Sequence, residues 1–298
     1  MSERMNVVDL VSALVPKLKN SVQYVPEPVK SPLRLLGVKS ALSDAYRWIL
    51  SPFFPIEQHI TAHGLTMRFK IEDVEEYFVF QKYPEKDESF PVHGDILTHL
   101  GPNDVFWDVG ANVGIYTCFA AAKLQSGHVV SVEPNPNNVD RIEENLQLNG
   151  LSADVHERAL MAENDEGVLQ IYEDAEAGAF GFLSEDGSSV ESESLTIDPT
   201  ESVRVETTTG DALVDDGVPA PDVLKIDVEG AELEVLKGME RTVEEDVRVL
   251  YIDVITSDEF YDRTVAPDEV YDWLDRHGFE TERLWDWDGG HFIRCERT

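Results

Sequence analysis

DVFWDVGANVGIYT (residues 104–117) is an apolar strand that runs into a glycine-containing turn and then into an apolar, helix-like run. This is the order of a first βα unit in an open α/β sheet, and its turn is where such a sheet wraps a nucleotide. A dinucleotide fingerprint reads G-x-G-x-x-G, so that backbone amides can approach a pyrophosphate. Here the order is Asp108-Val109-Gly110-Ala111-Asn112-Val113-Gly114, with Asn112 where the middle glycine would stand. The lysine and hydroxyl pair of a P-loop is also missing. The turn therefore suits a nucleoside with no phosphates to cradle. Gly110 lets the backbone approach a ligand closely, and Asp108, at the strand's carboxyl end, can complement a positive charge.

The next strand, HVVSVE (128–133), ends in Glu133-Pro134. A carboxylate at this distance from the turn can grip both ribose hydroxyls. Proteins that bind NAD and proteins that bind S-adenosylmethionine (SAM) share that feature, so Glu133 alone does not separate them. SAM carries a sulfonium and an ammonium and no phosphate. A turn flanked by acids and lacking a phosphate fingerprint favours it. The plainer alternative is that Asp108 caps the turn and Glu133 is surface.

DVLKIDVEGAELEVLKGM (222–239) is the second informative stretch. In an extended strand Lys225 and Asp227 share one face, and Ile226 and Val228 the other. A lysine inside an apolar strand needs a carboxylate partner, and Asp108 on a neighbouring strand is a candidate. Asp227 falls at the carboxyl edge, where open α/β sheets place ligands. A purely structural ion pair is the alternative.

Around these stretches the hydrophobic pattern alternates between strand and helix periods. Strands are expected at 105–109, 128–133, 153–160, 168–172, 203–209, 222–228 and 247–255. Helices are expected at 87–100, 115–125, 136–148, 231–239 and 267–277. Two closing strands, 279–284 and 290–296, predict an antiparallel hairpin at the sheet edge. The pattern implies a mostly parallel sheet covered on both faces. Upstream, QHITAHG, LTMRFKI and EEYFVFQ (within 58–83) read as a meander of short strands. Val7, Leu10, Val11, Leu14 and Leu18 stand at helical spacing, and Ser40 to Leu50 reads as a second helix. Residues 1–57 are thus expected to be a helical extension and 58–298 the main domain. The extension is read first as packing against that domain, with a substrate cap, a dimer element or a membrane-surface helix as alternatives. The Gly/Ser/Glu-rich stretch 174–202 is expected to be a loop or hairpin insertion.

Composition sets the surroundings. The 298 residues include 59 Asp and Glu against 24 Lys and Arg, a net charge of −35. The acids are dispersed, and runs such as Glu72-Asp73-Val74-Glu75-Glu76 read as solvated faces. A dispersed acid excess suits high salt, where self-repulsion is screened. A basic groove for nucleic acid is not visible. Cys118 and Cys295 make no metal pattern and at most one bridge, so no metal is expected. The start lacks the basic and apolar regions of a signal peptide, and no run is long enough to span a membrane, so a cytoplasmic protein is expected. Among the histidines, His93, His99, His156 and His291 can reach the site from its rim, although structural roles are commoner. Trp107 reads as core. Trp285 and Trp287 can stack on a sugar, but packing is the favoured role.

DVGANVGIYT, VEPNPNNVDRIEENLQLNG and VLKIDVEGAELEVLKGM, in this order, closely resemble the FkbM family of SAM-dependent methyltransferases, over residues 100–255. The resemblance implies a class I methyltransferase fold: a Rossmann-like sheet of seven strands, the last antiparallel. It implies SAM held by Asp108, Gly110, Ala111, Asn112, Gly114, Tyr116, Thr117, Glu133 and Pro134, with Asp227 beside them. Family members carry a glutamate, often followed by a histidine, on the strand after the Lys225–Gly230 run. This chain has Tyr251-Ile252-Asp253-Val254-Ile255, so Asp253 stands in for the glutamate and no histidine follows. The catalytic expectation rests on Asp227, positioning or deprotonating an acceptor hydroxyl. Lys225 would orient Asp227 or Asp108, and Glu229 is a weaker candidate for the acceptor pocket. The acceptors implied are secondary-metabolite hydroxyls and glycan sugars, a sugar on a lipid- or nucleotide-linked precursor being the preferred one. RNA or protein methylation, a nicotinamide-dependent oxidoreductase and a non-catalytic SAM-binding module are the rivals.

Overall fold

A computed structural model describes Pro52, residues 54–72, Glu76, Tyr77, Phe80, and residues 91–174, 178–184, 201–256, 267–287 and 289–297. The helices expected at 5–20 and 40–50 lie outside the described residues. The first described elements are a hairpin, β1 (Ile56–Ala62) and β2 (Leu65–Ile71). They match two of the three expected strands. The third, EEYFVFQ, is corrected: Glu76, Tyr77 and Phe80 are helical. Tyr77 and Phe80 lie three apart and both are buried, a spacing that puts them on one face of a helix and would put them on opposite faces of a strand.

The main domain then follows as α1 (Pro91–His99), β3 (Val105–Val109), α2 (Ile115–Lys123), β4 (His128–Val132), α3 (Pro136–Asn149) and β5 (Asp154–His156). An excursion comes next: β6 (Ala159–Leu160), β7 (Asp165–Asp174), β8 (Gly178–Ser184) and β9 (Glu201–Thr208). The chain returns through α4 (Gly210–Asp215) to β10 (Val223–Ile226). It continues with α5 (Glu232–Gly238), α6 (Glu240–Glu245), β11 (Val249–Ile255), α7 (Pro267–Arg276), β12 (Phe279–Trp287) and β13 (Gly290–Arg297).

Seven strands form one sheet in the order β12-β13-β11-β10-β3-β4-β5. The five from β11 to β5 are parallel, and the final strand β13 runs antiparallel to both neighbours. This is the class I methyltransferase sheet, with the closing hairpin expected from sequence. The excursion corrects a simpler reading. ADVHERAL holds two strands, not one, and they belong to different sheets. β6, β9, β7 and β8 make a separate four-stranded sheet, and β8 turns the start of the 174–202 stretch into a hairpin with β7.

Alternation along the buried strands splits the core into two layers. Phe106, Val223 and Tyr251 face the layer under α1, α2, α3 and the β1–β2 hairpin. Trp107, Leu224, Ile226 and Ile252 face the layer under α4 to α7. Trp107 is fully buried, as expected, and its indole N–H donates to Pro219 O at 2.8 Å. Cys118 and Cys295 are both free and buried. α3 also closes the edge of β2: the Asn149 side chain accepts from Arg68 N at 2.8 Å and donates to Arg68 O at 2.7 Å. An amide side chain thus replaces the missing neighbour strand and leaves that backbone satisfied.

Candidate active site

The carboxyl ends of β3 and β10 lie side by side, with Lys225 opposite Asp108 and Ile226 opposite Val109. Past them the two chains nearly touch. Asp227 N donates to Val109 O at 3.1 Å, and a Cβ on Gly110 would sit 1.9 Å from Asp227 O. Gly110 also has φ +73°, so it is required here twice over. Asn112 follows at φ +50°, a left-handed position that asparagine tolerates better than most residues. Gly114, at φ +79°, opens α2.

Under this turn lies a buried ionic ladder. Lys225 is 1% exposed, and its Nζ sits 3.0 Å from Asp108 Oδ1 and 3.4 Å from Asp227 Oδ2. The same ammonium donates to Gly110 O at 2.8 Å and stands 5.0 Å from the Tyr116 ring centroid. Burial works against its charge. The two carboxylates outweigh that and hold it above the usual lysine range. Asp108 is fully buried, and its other oxygen accepts from Thr117 Oγ1 at 2.7 Å. The ladder therefore ties turn, β3 and β10 into one rigid floor. Of its charged side chains Asp227 alone reaches the cavity, 27% exposed.

The cavity runs along the carboxyl edge from Asp227 and Glu229, past Gly110 and Asn112, to Glu133 and Arg158. Glu133 forms its wall. Oε2 accepts from Asn112 N at 2.8 Å, and Oε1 accepts from Asn135 N at 2.9 Å and Asn138 Nδ2 at 3.2 Å. Burial pushes its pKa up to about 7, and those three donors resist the shift. Two hydroxyl donors from a ligand would favour the charged form further. Glu229 sits at φ +56° and Gly230 at φ +104°, a bend that turns the chain from β10 towards α5. Glu232 caps the bend by accepting from Gly230 N at 2.8 Å. Burial raises its pKa to about 7.

Asp253 stands on β11 one step past the Ile226–Ile252 pair, which makes it the neighbour of Asp227. It is 8% exposed and accepts from Trp287 Nε1 at 3.0 Å. Burial first, and the nearby Asp227 second, push its pKa from 3.8 up to about 9. The folded chain thus keeps a proton that the unfolded chain loses near 3.8. The stability this proton carries is complete below 3.8 and is lost as pH rises towards 9. Asp253→Asn keeps the acceptor for Trp287 and has no proton to lose. Its melting temperature is expected to exceed that of the wild type at about pH 8, with the gain fading towards about pH 4. A gain of equal size at both pH values would count against this account.

Of the residues singled out in the sequence, Gly110, Asn112, Glu133, Pro134, Asp227 and Glu229 line the cavity. Asp108, Ala111, Gly114, Tyr116, Thr117 and Lys225 do not; Asp108, Tyr116, Thr117 and Lys225 belong to the ladder beneath it. The buried Asp108 thus faces Lys225 and Thr117, not the cavity. Among the four histidines, His93 stacks on Tyr116 at 3.8 Å and His291 hydrogen-bonds Tyr271 at 2.5 Å. His99 contacts Tyr251 Oη at 3.0 Å, and none of the four lines the cavity. Trp287 holds Asp253, a contact the sequence reading did not contain. Asn135, Asn138, Arg158, Leu160, Met161 and Leu169 also line the cavity and were not anticipated. Asn135 and Asn138 had a usable signal, since both follow Glu133, one as the N-cap and the other in the first turn of α3.

A family model described as the methyltransferase FkbM domain matches residues 108–281. The hexuronic acid methyltransferase AglP of Haloferax volcanii is 32% identical over 178 residues, 59% of this chain. The match spans 65% of that relative, just under two thirds of its length. Methyltransferase sdnD of Sordaria araneosa is 26% identical over 205 residues, covering 62% of this chain and 77% of that one. Among solved structures, methyltransferase FkbM from Methylobacillus flagellatus is similar with a TM-score of 0.46 and 16% identity, over 75% of this chain and 55% of that one.

Proposed function

Because the chain belongs to the FkbM methyltransferase family, we propose that it transfers a methyl group from SAM to a hydroxyl of a sugar on a glycan precursor. The observation that carries the cofactor is the pairing of a glycine floor with a carboxylate wall: Gly110 has no room for a Cβ, and Glu133, lining the same cavity, has both oxygens turned to donors. The turn has no phosphate fingerprint, so a nucleoside with a cationic tail fits this donor set better than a dinucleotide does. SAM, when bound, supplies an electrophilic methyl for in-line displacement at carbon. The chain's own part is alignment and charge. Glu133 would hold the ribose by accepting from its hydroxyls. Asp227, at the open end of the ladder, accepts the proton that the acceptor hydroxyl gives up.

The sugar acceptor is supported by the Haloferax volcanii relative, a hexuronic acid methyltransferase by name. The test is transfer of labelled methyl from SAM to lipid- or nucleotide-linked sugars, alongside calorimetry with SAM and NAD. Binding of NAD in place of SAM would sink the reading, and methylation of RNA or protein alone would move the acceptor. The acid excess supports a cytoplasm of high salt. Dialysis from molar KCl to low salt is expected to unfold the chain, and an unchanged circular dichroism spectrum would refute that setting. Among the described residues no helix is long and apolar enough to cross a membrane.

A further inference from the structure

Glu240 and Glu244 stand four apart on α6 and share one face of it. Like charges at that spacing repel. Among the described residues no Lys or Arg pairs with either carboxylate; Arg297 reaches α6 through the carbonyls of Val243 and Glu244 instead. What faces the two glutamates is His277, just past the end of α7. Its Nε2 lies 2.9 Å from Glu240 Oε1 and 3.7 Å from Glu244 Oε1.

The imidazole is what points to a ligand. Its side chain is only 10% exposed, and the ring stacks on Trp273 with centroids 3.7 Å apart. Nδ1 lies 2.7 Å from Trp273 O. A carbonyl can only accept, so Nδ1 carries the hydrogen. The neutral ring then turns a lone pair, and no donor, towards two carboxylates. Three acceptors converge, which a shared cation resolves. A ring N–H held by a backbone carbonyl is also the support that metal-bound histidines use. The three ligand atoms lie within 4.8 Å of one another. Bonds of about 2.0–2.1 Å to a tetrahedral zinc ion would set such atoms about 3.3 Å apart, between the two distances to Nε2.

We propose that Glu240, Glu244 and His277 bind a divalent transition cation of the zinc class, which clips α6 to α7, with water completing its shell. The imidazole selects against magnesium and calcium, which take oxygen ligands. The site uses neither cysteine and shares no residue with the cavity, so it stands apart from the SAM reading.

The probe is zinc chloride, titrated by calorimetry into the chelator-treated full chain in molar KCl, where diffuse counter-ion binding is screened. Wild type is expected to bind one zinc ion with a Kd of about 10 μM or tighter. It is expected to melt about 5 °C higher at free zinc about 100 times that Kd. The double variant Glu240→Gln, Glu244→Gln keeps the size of two exposed side chains. It is expected to keep its circular dichroism spectrum, to bind zinc at least about 100-fold more weakly and to lose the thermal gain. Magnesium in about tenfold excess is expected to leave the zinc in place. A wild type that binds no zinc overturns the proposal and leaves His277 as an imidazolium between two glutamates. A double variant that binds like wild type overturns it too, because the metal then sits elsewhere. Displacement by magnesium also overturns it, since any acidic surface would serve as well.

Discussion

Asp227→Asn lowers the rate of methyl transfer by about 10²–10⁴-fold, the span of a lost general base. SAH affinity is expected to stay within a few-fold of wild type. The argument is geometric. Asp227 sits at the end of β10, its backbone N–H fixed to Val109 O and its side chain turned into the cavity beside Gly110. Asparagine keeps the size and shape and gives up the ability to take a proton. The Lys225 contact at 3.4 Å keeps an oxygen opposite it, so the floor stands. Single-turnover transfer from labelled SAM reads the effect on the chemical step. Wild-type turnover on the true acceptor would remove Asp227 from the chemistry. That result would also suit an acceptor atom that carries no proton, such as a carboxylate.

Lys225→Met unfolds more easily than wild type by about 3–5 kcal/mol, because it strands a buried carboxylate. Asp108 is fully buried, and its remaining partner at hydrogen-bond distance is Thr117. The methionine fills the lysine's volume, so the loss reports the charge and not a cavity. The double variant Asp108→Asn, Lys225→Met is expected to recover much of it, since a buried pair can often be replaced as a unit. Denaturant titrations of the two single variants and the double close the cycle. A single-variant loss below about 1 kcal/mol would show that water reaches Asp108 and that the ladder is not dry.

The floor was legible in the sequence because its parts are local. Gly110, Asn112 and Gly114 belong to one turn, and the Lys225–Asp227 spacing alone put both on one face. The pairing of Lys225 with Asp108 followed from the cost of an unpaired lysine in an apolar strand. What escaped depends on contacts between distant segments. The Trp287–Asp253 bond joins residues on two strands that β13 separates in the sheet. Arg158 sits in HERAL, a charged stretch with no period or motif to mark it. The second sheet was hidden for a related reason. Alternation shows that a strand has two faces but not which strand lies next to it, so β6 and β9 looked like members of the main sheet. In EEYFVFQ too few positions separate a period of two from a period of 3.6.

The excursion that builds the second sheet leaves and re-enters the domain at one point. Leu160 pairs with Thr208, and Met161 N donates to Thr208 O at 2.9 Å. A segment fastened to itself at the neck can change length without moving its ends. Each doubling of such a loop costs only about 0.6 kcal/mol of closure entropy. Leu169, on the excursion's β7, already borders the cavity. Natural selection can therefore lengthen, shorten or restyle this appendage while the ladder beneath keeps its register, and each new version opens straight onto the cavity.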